Sequence, residues 1–175
     1  MESFRLETIG ELHPVAAHLF VPFVVTRLQQ RPEDTEAVLS VTLSGIDEES
    51  IEDRPLRLFW ERNSIPRLPL AIQDQPLTEW AALEVACAVI WHFGGLRLHA
   101  VAALGDRVEY WVKRDNQEFG LEVSGTRTAD LEARCQQKIR QLLANPYGAD
   151  GYVVVVGFAA RKVIFSFHHN DGGAP

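Results

Sequence analysis

The sequence predicts an α/β fold, and three stretches of its second half carry that prediction. Residues 80–93 are apolar nearly all the way round, and a helix without a polar face is a buried one. Residues 152–158, YVVVVGF, form a continuous apolar run, the pattern of a strand covered on both faces. Between them, a strand at 119–123, a helix from Thr128 to about Ala144 and the strand at 152–158 follow one another. That order implies a crossover to a parallel neighbour. The expected architecture is a mixed sheet flanked by helices over 77–175, with a β-rich extension over 1–76.

Taken in order, residues 1–12 alternate weakly through Phe4, Leu6 and Ile9 and read as a strand. Residues 15–28 are strongly apolar and fit helix or strand, with Pro22 against an unbroken helix. Residues 37–43 are β-branched and alternate, so they read as a strand. Residues 47–53 are an acidic run, expected as a solvated loop. Another strand is expected at 56–60, and the prolines of 65–76 mark a connector. Thr78 fits a helix N-cap with Glu79 in the first turn, and Gly94-Gly95 stops that helix. Strands are expected at 96–104, 108–113 and 119–123. The helix that follows carries Leu131, Cys135, Ile139 and Leu142 as its apolar stripe. A last strand at 163–167 leads through His168-His169 into a Gly-rich tail.

At 175 residues, with 46% hydrophobic and 23% charged residues, the chain is long enough for a real core and ordinary in composition. Its longest apolar run, 81–90, contains Glu84 and is too short to span a bilayer. The start of the chain lacks a basic stretch followed by an apolar block, so no signal peptide is expected. Cys87 and Cys135 fall in predicted helices without any CxxC or Cys/His cluster, which points away from zinc and towards reduced, buried thiols in a cytoplasmic protein. The net charge of −7 is uneven: residues 1–76 hold 13 acids and 7 bases, residues 77–175 hold 11 and 10. A nucleic-acid binder usually shows a basic footprint, so contact with nucleic acid is expected only through the C-terminal half.

The stretch 104–126 holds the candidate site. Its two strands flank a polar turn at 114–118, and each carries a carboxylate: Glu109 on the first, Glu122 on the second. Carboxylates on adjacent strands suit a divalent cation, because hard cations take oxygen ligands. Asp106 competes with Glu109 for the first position. Glu84 sits in the middle of an apolar helix, where an unpaired charge is costly and calls for a partner. Lys138 and Arg134 lie one turn apart on the following helix. Ser124, Gly125 and Thr126 end the second strand in a small candidate anion nest, while His168-His169 reads as a solvated chain end. No nucleophile elbow, phosphate loop or GxGxxG occurs.

The order helix, three strands, helix, strand over 78–167, with Glu109 and Glu122-Val123-Ser124, resembles the core of the PD-(D/E)xK nuclease-like superfamily, the restriction-endonuclease fold. The resemblance implies that Glu109 stands for the second-strand acid and Glu122 for the acid of the D/E-x-K. It implies a catalytic set of Glu109, Glu122 and Lys138, and Mg²⁺ held by Glu84, Glu109 and Glu122. Two departures stand out: no Pro-Asp pair precedes the site, and Ser124 replaces the lysine. Some members move that lysine onto the following helix, the place of Lys138. The expected function is a metal-dependent nuclease-type domain hydrolysing phosphodiesters in nucleic acid. The alternative is a catalytically inactive nuclease-fold protein acting as a protein-interaction or assembly subunit.

Overall fold

The computed structural model describes residues 1–46, 51–62, 72–128 and 130–171. Among these, eight strands form one mixed sheet. Five of them come from the second half: β4 (Arg97–Val101), β5 (Tyr110–Arg114), β6 (Gln117–Thr126), β7 (Gly151–Gly157) and β8 (Lys162–His168). β4, β5 and β6 run antiparallel in turn, and β7 lies parallel to β6. The sheet continues through β8 into β2 (Glu36–Ser44), β3 (Ile51–Phe59) and the edge strand β1 (Glu2–Arg5). The N-terminal strands therefore extend the same sheet, joined by the parallel pairing of β2 with β8.

Side-chain period explains the strands. In β2, Ala37, Leu39, Val41 and Leu43 are buried while the residues between them are not, the alternation of a sheet with one covered face. In β7 all seven residues are buried, because that strand lies mid-sheet with a helix on each side. The acidic stretch expected as a loop lies partly outside the described residues, but Glu52 and Asp53 belong to β3, opposite Leu43 and Thr42. The expected N-terminal strand ends early at Arg5, and a short helix α1 (Ile9–Leu12) follows a 3₁₀ turn. The run at 15–28 resolves as helix α2 (Val21–Leu28). Pro22 stands in its first turn, where a missing N–H leaves no bond unmade.

The long helix α3 (Asp74–Gly94) starts four residues before the expected Thr78 cap. Thr78 lies inside it, and its hydroxyl donates back to the Asp74 carbonyl at 2.8 Å. Pro76 sits in the first turn. The expected stop holds: Gly95 adopts φ +61° as the left-handed cap. Helix α4 (Leu131–Leu143) is capped by Asp130, which accepts from the Ala133 N–H at 3.2 Å, rather than by Thr128. Thr128 N–H instead bonds the Thr126 hydroxyl at 3.0 Å.

The two helices cover opposite faces of the sheet. α3, with α2 packed against it, joins Leu121, Val123, Tyr152, Val154 and Val156 in the larger core. Its approach to β6 is close: a Cβ on Gly125 would stand 2.5 Å from the Thr78 carbonyl oxygen. α4 packs Leu131, Cys135 and Leu142 on Val153 and Val155 of the other face. A Cβ on Gly120 would meet Leu142 at 2.9 Å. Odd residues of β6 therefore face α3, and even residues, Glu122 and Ser124 among them, face α4.

Candidate functional site

β5 stops pairing at Tyr110 opposite Leu121, while β6 runs on to Thr126. The N–H groups of Val123 and Gly125 on that side are left without a strand partner, and buried donors need one. Two carboxylates take the strand's place. Glu109 Oε2 accepts from Val123 N–H at 2.9 Å, and Glu79 Oε2 accepts from Gly125 N–H at 2.9 Å. Glu109 is thus held at the point where the β4–β5 hairpin closes, with its carbonyl bonded to Ala102 N–H at 3.0 Å. Its second oxygen is free to look into the α4 face.

On that face stands Glu122, 2% exposed. Above it lies Lys138, on the buried stripe of α4 formed by Leu131, Cys135, Lys138 and Leu142. The lysine Nζ lies 2.6 Å from Glu109 Oε1 and 2.9 Å from Glu122 Oε2. One ammonium therefore joins the two carboxylates. A pocket of ≈ 380 Å³ opens over the group, with Arg107, Gln141 and Ala144 completing its walls.

The electrostatics of the three groups are unequal. Burial first, and then the charge of Glu109, push Glu122 up to about 7 against the pull of the Lys138 bonds. Burial alone would lower Lys138, yet the two carboxylates outweigh it and its ammonium is held above the ordinary lysine value. The resulting site carries a charged lysine at neutral pH beside an acid poised to gain or lose a proton.

Of the residues singled out in the sequence, Glu109, Glu122 and Lys138 meet at this pocket. Glu84 does not join them. It lies on α3, on the other face of the sheet, fully buried with no hydrogen-bond partner on either carboxylate oxygen among the described residues. It is therefore no third ligand to a cation at Glu109 and Glu122. Burial raises its carboxyl well above the usual range. Arg134 is exposed and off the buried stripe, so Lys138 alone presents a cation to the sheet. Asp106 lies outside the pocket, accepting from Trp111, Tyr147 and Ala103, and these bonds hold it below the usual carboxylate range. The expected anion nest is closed: Glu79 takes the Gly125 N–H, and the Thr126 hydroxyl is engaged with Thr128. His168 Nε2 bonds the Ser166 hydroxyl at 2.8 Å, and His169 faces Asp150.

Among the described residues, no group of three or more His, Cys, Asp or Glu side chains gathers as a metal site. A two-carboxylate site with water completing the shell remains within the chemistry of Mg²⁺, which keeps several waters and takes one or two carboxylates. The donor set fits on a further ground. The charge of Glu109 adds to the burial that raises the proton affinity of Glu122, itself 2% exposed, and a cation between the two carboxylates offsets that cost. Glu79 and Arg107 were not singled out in the sequence. The sequence reads Glu79 as a first-turn acid on the helix dipole, and only the early end of β5 shows its carboxylate closing the edge of β6.

No family model, no curated protein and no solved structure matches this chain. No helix among the described residues is long and apolar enough to cross a membrane.

Proposed function

We propose that the chain is a nuclease-type domain that hydrolyses phosphodiesters in nucleic acid, with Mg²⁺ held by Glu109 and Glu122. The observation that carries this reading is the Lys138 ammonium within 2.9 Å of both carboxylates at the floor of an open pocket. The element order α3, β4, β5, β6, α4, β7 supports it, since it follows the order of the PD-(D/E)xK core. Lys138 on α4 then stands where Ser124 cannot, supplying the cation that the D/E-x-K lysine supplies elsewhere. When bound, the metal would polarise water and offset the charge gathering on the phosphate. The chain's own groups do the rest. Lys138 holds the two carboxylates in register and offers N–H donors to an anionic oxygen. Arg107, exposed at the rim, is placed to meet a non-bridging phosphate oxygen. Without a metal, burial and the charge of Glu109 push Glu122 up to about 7; with a cation bound it would serve as an ionised ligand.

A second reading has its own observation. Glu109 spends one oxygen on Val123 N–H and the other on Lys138, which is what a purely structural ion triad would look like. Together with Ser124 and the acidic first half, which repels a phosphate backbone, this favours a catalytically inactive assembly subunit. Cleavage decides between them. Wild-type protein with Mg²⁺ or Mn²⁺ is expected to cut DNA, and Glu122→Ala to reduce cutting to background. Equal cutting by both proteins would mean a contaminant. Titration calorimetry is expected to show divalent-cation binding to wild type and none to Glu122→Ala; identical heats would remove the metal from the site.

A further inference from the structure

We propose that the surface beside this pocket is a stacking platform for an unpaired base, so that the substrate is single-stranded nucleic acid; this rests on the phosphodiester reading above. Trp111 lies on β5 two residues beyond Glu109, and therefore on the same face of the sheet. Its ring meets that of Tyr147 edge to face, with centroids 5.8 Å apart at 61°. One carboxylate holds both rings: the Trp111 indole N–H donates to Asp106 Oδ2 at 3.1 Å, and the Tyr147 hydroxyl donates to Asp106 Oδ1 at 2.8 Å. Asn145, itself buried, fixes the turn beneath, its side-chain oxygen accepting from the N–H groups of Tyr147 and Ala149 at 3.0 and 2.9 Å. Tyr147 is nevertheless 64% exposed. A large ring displayed to water is usually free to swing. One tied at its polar tip and at its backbone has little freedom left to lose when something stacks on it.

The position and the charges say what stacks. A second pocket, of ≈ 360 Å³, opens between Asp106, Trp111, Glu118, Tyr147 and Ala149. The segment 106–109 is the wall between it and the first pocket: Asp106 lines one side, Arg107 and Glu109 the other. On the aromatic side no cation among the described residues lines the pocket: Asp106 holds the two rings, and Glu118 faces Lys113 at 3.6 Å. The cations Arg107 and Lys138 belong to the other. A neutral planar base on the rings with its phosphate against Arg107 and Lys138 is the arrangement these positions fit. Bases of a duplex keep their faces in the stack, so only an unpaired nucleotide offers a ring face to Trp111 and Tyr147.

The test is binding measured by fluorescence anisotropy with a labelled oligothymidylate and a duplex of equal length, at one low salt concentration and with EDTA to prevent cutting. Wild type is expected to prefer the single strand. Trp111→Ala is expected to weaken single-strand binding roughly tenfold, and Tyr147→Ala, at an exposed position, to weaken it in the same direction without endangering the fold. Trp111→Phe, which keeps a ring, is expected to retain most of the affinity. Undiminished binding by Tyr147→Ala and Trp111→Ala, a preference for duplex, or no single-strand binding by wild type would each overturn the platform. Cutting assays on the same proteins separate the two ideas. Ring-dependent binding without any cutting leaves the platform and removes hydrolysis. Cutting of single strands that ignores both ring variants leaves hydrolysis and removes the platform.

Discussion

Glu122 on β6 and Glu84 on α3 are both buried glutamates on elements that pack directly against one another, yet only one has a partner. Glu122, 2% exposed, meets Lys138 at 2.9 Å; Glu84, 0% exposed, meets no hydrogen-bond donor among the described residues. The face of the sheet decides the difference. α4 is amphipathic and brings a long cation down with its apolar stripe, its aliphatic stem packed and its head on the acids. Around Glu84 on α3, no hydrogen-bond donor among the described residues reaches either carboxylate oxygen. The lesson is that an acid in an apolar context marks a site only when the opposing layer can answer it. On the α3 side the cheapest answer is a proton, on the α4 side an ion pair.

The largest effect that tests this contrast is loss of the cation. Lys138→Met keeps the length of the side chain and leaves Glu122 buried without its ion pair. Breaking one partner of a buried pair costs about 3–5 kcal/mol, and urea unfolding at pH 8 is expected to show a loss of that order. At pH 5 the loss should shrink, because Glu122, already at about 7 with the lysine present, then takes up a proton. An equal loss at both pH values would mean that the carboxylate is not what the missing lysine exposes.

The opposite sign is expected across the sheet. Glu84→Met replaces two unmet oxygens with an unbranched apolar chain that fills irregular space. An unsatisfied buried polar group costs about 1–3 kcal/mol, so the variant should gain stability of that order at pH 7. The gain should grow as pH rises. Glu84 keeps its proton in the fold above the pH at which the unfolded chain releases it, so the wild type loses stability upward from about 4.5, by roughly 1.4 kcal/mol per unit. A variant no more stable than wild type would mean that Glu84 has a partner after all.

The same contrast explains which parts of the molecule were legible in the sequence. Period-two alternation in β2, the YVVVVGF strand and the Gly94-Gly95 stop are local, and each lies where the sequence puts it. Glu109 and Glu122 were legible as candidates because each interrupts an apolar strand, whereas Lys138 is reached only through the resemblance, which allows the lysine to sit on the following helix. The side of the sheet on which Glu84 lies was not, since a helix apolar all round has no periodicity to say which layer each residue meets. The stripe on α4 was misread by one residue for a related reason. Intervals of four, four and three through Ile139 compete with four, three and four through Lys138, and only the sheet beneath chooses the second. The role of Glu79 depends on where β5 stops pairing, and that of Asp106 on Tyr147, 41 residues away. Neither leaves a trace in nearby sequence.

The last effect is a slope, and it comes from a buried histidine opposing the two glutamates. His13, 3% exposed, accepts from the Leu98 N–H through Nδ1 at 2.8 Å and so anchors the edge strand β4 to the N-terminal segment. Burial lowers it from 6.5 to about 4, with the charge of Arg97 adding to the shift and a Cys87 backbone interaction resisting it. Below pH 6.5 the unfolded chain takes up a proton that the fold refuses, so this residue costs stability as pH falls, until about 4. Glu122 and Glu84, both raised, cost stability as pH rises above 4.5. Over the shared window the slopes oppose one another, and the wild-type profile should be shallower than any one group implies. His13→Asn retains a side-chain acceptor for Leu98 and removes the titration. Relative to wild type it is expected to become more stable on going from pH 6.5 to 4.5, by about 1.4 kcal/mol per unit, as read from urea unfolding at the two pH values. A difference between the two proteins that does not change with pH would mean that the fold admits a protonated ring at this position, and the anchoring of β4 through a neutral Nδ1 would fall with it.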